Sequence, residues 1–347
     1  MLVCIIYGSG KLSAQEIEEV EIQAVRQEDS TLDLTSSVDI FDLEDLETYK
    51  ISGLSDIANN VPGLTASPSG AQGLRFTLRG VGARDTELGV ESKVGLYVDG
   101  AFLGRASGLV FDIADLAGIE VLKGPQGFTF GRNAIGGTIN LIAAKADVDE
   151  FSTKLDLTAG NYGRKKISLT VNQPLSDVLA VRATVFHNEQ DGWVENIGLG
   201  EDFNGYDRDG FRFSTRWHAS ESLTLDYAFD IADFETQPVF FQQQLIEGQT
   251  EYDPGDYTTS GNLVTLTDIS GTPELDGFPG PITRKRLDQA NATLRPTEVS
   301  TTEADGHSLK VEWTWSDAHT FEFQGTHRTT DVIDTFNLFP ELGSNFG

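Results

Sequence analysis

From Phe151 to Gln324 the chain alternates apolar and polar residues with a period of two, and no other feature constrains its fold as tightly. Side chains on an extended strand point to opposite faces in turn, so such a segment is a strand with one apolar and one polar face. Leu155, Leu157 and Ala159 alternate with Lys154, Asp156 and Thr158, and Ile167, Leu169 and Val171 with Lys166, Ser168 and Thr170. The pattern returns over 179–185, 211–218, 223–231, 309–315 and 321–324, which makes seven segments. An antiparallel sheet on a soluble core alternates in the same way. The connections favour a membrane barrel instead. They run over 161–165, 174–177, 189–210, 219–222, 232–306 and 316–319, so after a short first link, short and long alternate. Outer-membrane barrels have short periplasmic turns and longer outer loops. Phe211, Trp217, Trp313 and Trp315 are expected near strand ends, in an interfacial girdle. Seven strands do not close a barrel, and an open edge in hydrocarbon leaves backbone groups unpaired, so the sequence is expected to be truncated within its barrel.

The chain reads differently before Phe151. Short apolar runs at Leu74–Leu78, Val94–Val98, Ile119–Leu122 and Thr138–Ile142 are separated by Gly, Pro, Asn and Asp, as short strands between tight turns are. Ser55 to Val61 reads as a short helix, N-capped by Ser55 and stopped by Pro62-Gly63. This half is expected to be a compact α+β domain. The formal net charge of -29, with no concentrated basic patch, excludes nucleic acid as a partner. Acidic outer loops would hold water and repel anionic ligands. Cys4 is the one cysteine, so no disulfide forms within the chain. No run approaches the roughly 20 apolar residues of a membrane-spanning helix. Residues 1–15, with apolar Met1 to Tyr7 and then Leu12-Ser13-Ala14, read as a signal-peptide remnant.

Five motifs stand in order: Leu54-Ser-Asp-Ile-Ala-Asn-Asn-Val-Pro-Gly-Leu64, Leu78-Arg-Gly-Val-Gly82, Val94-Gly-Leu-Tyr-Val-Asp-Gly100, Ile119-Glu-Val-Leu-Lys-Gly-Pro-Gln-Gly127 and Phe130-Gly-Arg-Asn-Ala-Ile-Gly-Gly-Thr-Ile-Asn140. Together they resemble the plug domain of TonB-dependent outer-membrane receptors. The resemblance implies a mainly β fold: a small α+β plug domain over 31–147, then over 148–347 the first antiparallel strands of a barrel of about 22 strands, wide enough to need a plug. It also implies uptake of a scarce ligand in the Gram-negative outer membrane, with the plug reached from the periplasm. A ferric siderophore is the first expectation. Cobalamin, a saccharide, another metal chelate, or a surface binding module without transport are the alternatives. The implied partners are the C-terminal domain of TonB with its inner-membrane energising complex, a small extracellular ligand such as a ferric chelate, and outer-membrane lipid.

Residues 16–30 hold the segment that would be pulled. Glu19, Val20, Glu21, Ile22, Gln23, Ala24 and Val25 resemble a TonB box, which pairs as an added strand through main-chain hydrogen bonds. Arg79, Lys123 and Arg132 are candidates for charge pairs that lock the plug to the barrel. Arg84, Asp85, Glu87 and Arg105 in plug loops, with Phe240 and Phe241 in the longest outer loop, are candidate ligand contacts. No cofactor and no resident metal are implied. His187, His218, His307, His319 and His327 show no metal-ligand spacing. The competing enzymatic reading is a phosphate loop at Gly131 to Thr138. It lacks the essential lysine, because Gly137 stands there, and alternating strands follow in place of a helix.

Overall fold

Buried positions are mostly apolar in the N-terminal half and more often polar in the C-terminal half. In the computed structural model, which describes residues 2–7, 37–51, 53–68, 73–82, 92–104, 115–127, 130–131, 133–196, 200–239, 289–290, 298–316, 319–334, 336–339 and 344–346, the N-terminal half packs an apolar core while the C-terminal half buries polar side chains.

The first strand, β1 (Leu2–Tyr7), lies antiparallel to the first strand of the C-terminal sheet, with Leu2 opposite Ala159. The N-terminal domain then runs β2 (Ser37–Asp42), α1 (Leu43–Thr48), α2 (Leu54–Ile57), β3 (Leu64–Pro68), β4 (Leu74–Leu78), β5 (Val81–Gly82), β6 (Val94–Val98), β7 (Ala101–Leu103), β8 (Leu116–Lys123) and β9 (Gly137–Ala143). Its five-stranded sheet has the order β2-β8-β9-β6-β7, in which only β6 and β9 are parallel. A second sheet, β3-β4-β5, is antiparallel throughout. Ile57, Leu78, Ile119, Val121, Ile139 and Leu141 are fully buried and anchor one core. Burying each such side chain contributes about 1.5–3 kcal/mol.

One local expectation is corrected. The helix near Ser55 starts earlier: Gly53 is the N-cap, its N–H donating to Asp56 Oδ2 at 3.1 Å, and α2 ends at Ile57. Helix α1 has no apolar periodicity to reveal it. It is started by Asp42, whose Oδ1 accepts the Asp45 N–H at 2.8 Å, and it buries Leu46 alone. The Gly131–Thr138 stretch turns directly into β9, without the helix a phosphate loop needs. Gly137 has φ +146°, and a Cβ there would overlap the Leu122 carbonyl and the Leu78 side chain, so the glycine is a packing requirement of the core.

The C-terminal sheet continues through β10 (Ser152–Ala159), β11 (Lys165–Ser176), β12 (Leu179–Gln190), a short β13 (Glu195–Asn196), β14 (Tyr206–Ser220), β15 (Leu223–Thr236), a short β16 (Gln289–Ala290), β17 (Ser300–Ser316) and β18 (His319–Ile333). The small hairpin of β19 (Phe336–Phe339) and β20 (Ser344–Phe346) follows. In the main sheet the order is β1-β10-β11-β12-β14-β15-β17-β18, and every neighbouring pair is antiparallel. The seven alternating segments are thus seven consecutive strands of an up-and-down wall. Tight turns at 177–178 and 221–222, with the pairing of Ser316 and His319, mark one end.

The faces of this wall are inverted relative to a soluble sheet. On β11, Lys166, Ser168, Thr170 and Asn172 are buried, while Ile167 is 49% and Leu169 38% exposed. Val185, Phe211, Ile231 and Leu309 are exposed on the same side, and Thr184, Arg212, Ser214 and Asp230 are buried on the other. Water would penalise that arrangement, whereas a lipid exterior and a polar interior favour it. The strands also outrun the apolar pattern. β14 has 15 residues and β17 has 17, against about 9–11 needed to span a bilayer. The excess lies at the outer ends, over 206–210, 232–236 and 300–306, where the ladder continues through polar residues. The outer links are shorter than the sequence implied, because main-chain pairing needs no apolar side chain. Phe211 is also corrected: it sits mid-strand between Val185 and Ile231, whereas Trp217, Trp313 and Trp315 do lie toward the tight-turn end.

Candidate functional site

The N-terminal domain touches the polar face of the wall through a few directional contacts. Asp115, just before β8, is almost wholly buried, and Arg182 of β12 reaches across to it. Arg182 Nε lies 2.8 Å and Nη2 2.7 Å from Asp115 Oδ1. A guanidinium holds such a geometry as a rigid fork. Lys154 of β10 meets Glu47 of α1 at 3.1 Å, but both are partly exposed, and solvent screens that pair. The segment between domains is fixed as well. The Asn172 amide, fully buried on β11, donates to the Asp147 and Glu150 carbonyls and accepts the Asp147 N–H at 2.9 Å.

A second contact is a hairpin tip. Asp99 and Gly100 join β6 to β7 with φ +50° and +78°, and Val98 pairs with Ala101, so they form a two-residue turn with both centres left-handed. Asp99 Oδ1 accepts the Ala143 N–H at 2.9 Å, and Asn140 Oδ1 accepts the Gly100 N–H at 3.0 Å. The Asp99 carbonyl accepts from Gln324 Nε2 of β18 at 2.8 Å. The tip thereby bridges to a strand more than two hundred positions later. A small cavity beside it is lined by Asp99, Lys145, Arg212, Asp226 and Lys310. Burial pushes the Asp99 pKa up, against the opposing pull of the Ala143 N–H and of the cations Arg212, Lys145 and Lys310. Burial, with Arg216 next, pushes that of Lys145 down.

A raised carboxyl pKa in the fold means the charged form is the less stable one there. Asp99 therefore contributes most below its ordinary value of 3.8, and that contribution is lost as pH rises through the raised value. Asp99→Asn is expected to raise the unfolding midpoint of this domain at neutral pH and to flatten its acid dependence, because Asn-Gly suits the turn and carries no buried charge. A chemical-denaturation series at pH 4 and pH 7 checks this; a lower midpoint for the variant at pH 7 contradicts it.

Residues 30–138 match the model of the TonB-dependent receptor plug domain family. The chain thus carries a TonB-dependent receptor plug domain. Its N-terminal domain is the plug, its C-terminal sheet is the start of the barrel, and its place is the Gram-negative outer membrane. The vitamin B12 transporter BtuB of Vibrio vulnificus is 25% identical over 272 residues, covering 74% of this chain and 41% of that one. The catecholate siderophore receptor Fiu of Escherichia coli K12 is 29% identical over 154 residues, 44% of this chain and 19% of that one. Among solved structures, the ferric yersiniabactin uptake receptor FyuA from Yersinia pestis superposes with a TM-score of 0.64 at 18% identity, over 87% of this chain and 42% of that one. The chain thus spans about two fifths of the length of BtuB and of FyuA.

The sequence candidates fall unevenly on this frame. Arg79 and Gly80 form another left-handed pair, with φ +50° and +78°, turning β4 into β5, and the Arg79 N–H donates to the Gly63 carbonyl at 2.8 Å. Its guanidinium reaches toward Gly124, inside the plug. Lys123 was expected at the barrel wall; its ion pair is instead with Asp39 Oδ2 of β2 at 2.5 Å, because Ser37–Lys123 register places the two strands side by side. Glu19 to Val25, Arg84, Asp85, Glu87, Arg105, Arg132, Phe240 and Phe241 lie outside the described residues.

Two groupings escaped the sequence reading. Asp115 and Arg182 are 67 positions apart, and no local pattern joins them. His187 was read as isolated, yet cross-strand register brings it to Asp207 and Asp209 on the outward face, with Nδ1 2.9 Å from Asp209 Oδ1. Helical i, i+4 spacing could not show this, whereas strand pairing does.

Proposed function

We propose that the chain is the plug and opening barrel segment of a receptor that takes up a scarce ligand across the outer membrane, energised through TonB. The observation that carries this reading is a plug with its own apolar core seated on a polar wall by directional polar contacts, among them Asp115–Arg182 and Asp99–Gln324. A domain with its own apolar core, tied to its surroundings by polar bonds, can shift without unfolding the wall. Pull is delivered at Glu19 to Val25, which the TonB C-terminal domain takes as an added strand.

The ligand is proposed to be a ferric siderophore, as the likeness to the catecholate siderophore receptor Fiu and the ferric yersiniabactin uptake receptor FyuA supports; BtuB makes cobalamin the second reading. The chemistry is binding and passage, with no catalytic step. Arg84, Asp85, Glu87, Arg105, Phe240 and Phe241 remain the proposed ligand contacts in the loops, and Arg79 and Arg132 proposed members of the plug lock. Asp115 and Arg182 join that lock, and Lys123 serves within the plug. Binding of a ferric-chelate panel to the full-length receptor, with cobalamin and oligosaccharides alongside, tests the ligand. Removing Glu19 to Val25 is expected to abolish growth on the bound ligand while leaving its affinity unchanged. Undiminished uptake after that deletion contradicts the energised mechanism.

A further inference from the structure

We propose that the outer link between β12 and β14, residues 191–205, is a buttress that holds both stems of the longest outer link, with Gln237 as the positioning residue. This side of the mouth is then set in shape before any ligand arrives, whichever ligand is taken up.

A link between strands is ordinarily the most mobile part of a sheet. This one is packed. Val194 and Phe203 are both fully buried, and they are bonded to each other. The Phe203 N–H donates to the Val194 carbonyl at 2.9 Å, and the Trp193 N–H donates to the Phe203 carbonyl at 3.1 Å. Further out, the Asn196 N–H donates to Asp202 Oδ1 at 2.8 Å, and its side-chain amide donates to the Glu201 carbonyl at 3.1 Å. A surface segment whose ends lie close together and which packs on its own side chains is a compact Ω-loop.

The longest outer link leaves β15 after Thr236 and enters β17 at Ser300. Its first stem meets 191–205 as a continuation of the β14–β15 ladder. The Gln237 N–H donates to the Gly205 carbonyl at 2.9 Å, and the Asn204 N–H donates to the Pro238 carbonyl at 2.9 Å. The Gln237 side chain adds what a ladder does not. Its Oε1 accepts the Gly205 N–H at 2.9 Å. A Cβ on Gly205 would overlap that side-chain amide, and one on Gly192 would crowd it. The two glycines stand at opposite ends of the loop, so one amide pins both ends in a cradle that only bare backbone permits. The return stem supplies the decisive contact. β16 lies parallel to β13, with Glu195 opposite Gln289 and Asn196 opposite Ala290. Hairpin continuation cannot produce a parallel pair between segments separated by all of β14 and β15. Residues 191–205 thus touch the longest link both where it leaves and where it returns. On the other side, the Asp191 N–H donates to the Tyr162 carbonyl of the first outer link at 2.9 Å. Three consecutive outer links are joined in one hydrogen-bonded rim. Because that order exists in the free protein, a ligand bound there loses less affinity to loop ordering.

Hydrogen exchange of the full-length receptor in detergent, with no ligand added, is the test. Amides over 192–196, 200–205 and 289–290 are expected to exchange at least about tenfold more slowly than in an unstructured chain. Gln237→Met keeps the side chain's length and removes the carbonyl acceptor. Exchange should then speed up by about tenfold over 192–196, 200–205 and 289–290 together, with 211–217 of β14 unchanged. Gln289→Pro attacks the other stem, and its effect should travel back to 192–196 and 200–205. Wild-type exchange of 192–196 and 200–205 at chain rates overturns the proposal. So does a Gln237→Met response confined to 204–205 and 237–238, or a Gln289→Pro response that stays at 289–290, because the loop would then not couple the two stems. The uptake reading fails separately, through TonB-box deletion without effect on uptake.

Discussion

Arg182→Ala is expected to loosen the plug by about 3–5 kcal/mol, the largest effect of any single substitution at the plug–barrel contact. The reason is Asp115, whose side chain is 3% exposed and which accepts both Arg182 contacts on one oxygen. Removing the cation strands a buried carboxylate. Most of the cost is that desolvated charge, so Asp115→Asn added to Arg182→Ala should recover a substantial part of it. Lys154→Ala, which breaks the more exposed pair with Glu47, should cost about 0–1 kcal/mol. Protease sensitivity of the plug, with the barrel still folded, reads all three. Equal sensitivity in Arg182→Ala and Lys154→Ala contradicts the account.

The second large effect concerns the outward face. Leu169 stands in the middle of β11 and is 38% exposed to whatever surrounds the wall. If lipid surrounds it, Leu169→Arg costs about 2–4 kcal/mol, and the same change at Gln173, closer to the tight-turn end, about 0–1 kcal/mol. If water surrounds it, a partly exposed leucine gives way to arginine at little cost at either place. Folding free energies measured in lipid vesicles for the two variants distinguish these outcomes. The depth dependence matters more than either number, because only a membrane produces it.

How far the sequence foretold this structure depends on the range of the interaction. The alternation of Ile167, Leu169 and Val171 with polar neighbours is a local signal, and the strands follow it. Their outer ends are not signalled, since Asp207-Arg208-Asp209 pairs through main-chain bonds that polar side chains neither help nor hinder. Helix α1 depends on a cap and one buried leucine, too little for a periodic pattern. The plug motifs revealed the domain, and Gly137 shows why one of them cannot vary. Charge pairing was least legible. Lys123 looked like a lock residue by resemblance, yet Asp39 on the adjacent strand takes it, while Asp115 finds Arg182 through tertiary placement alone.

The central claim is that one face of this wall meets lipid and the other meets the plug. Nitroxide labels placed singly from position 166 to 172 on β11, in the full-length receptor in vesicles after Cys4→Ser, test it most directly. The account predicts collisions with lipid-soluble oxygen at 167, 169 and 171, and low accessibility to a water-soluble nickel chelate throughout, because Ser168 and Thr170 are covered from within. High accessibility of 167, 169 and 171 to the nickel chelate would instead mean a soluble sheet, and the receptor reading would fall with it.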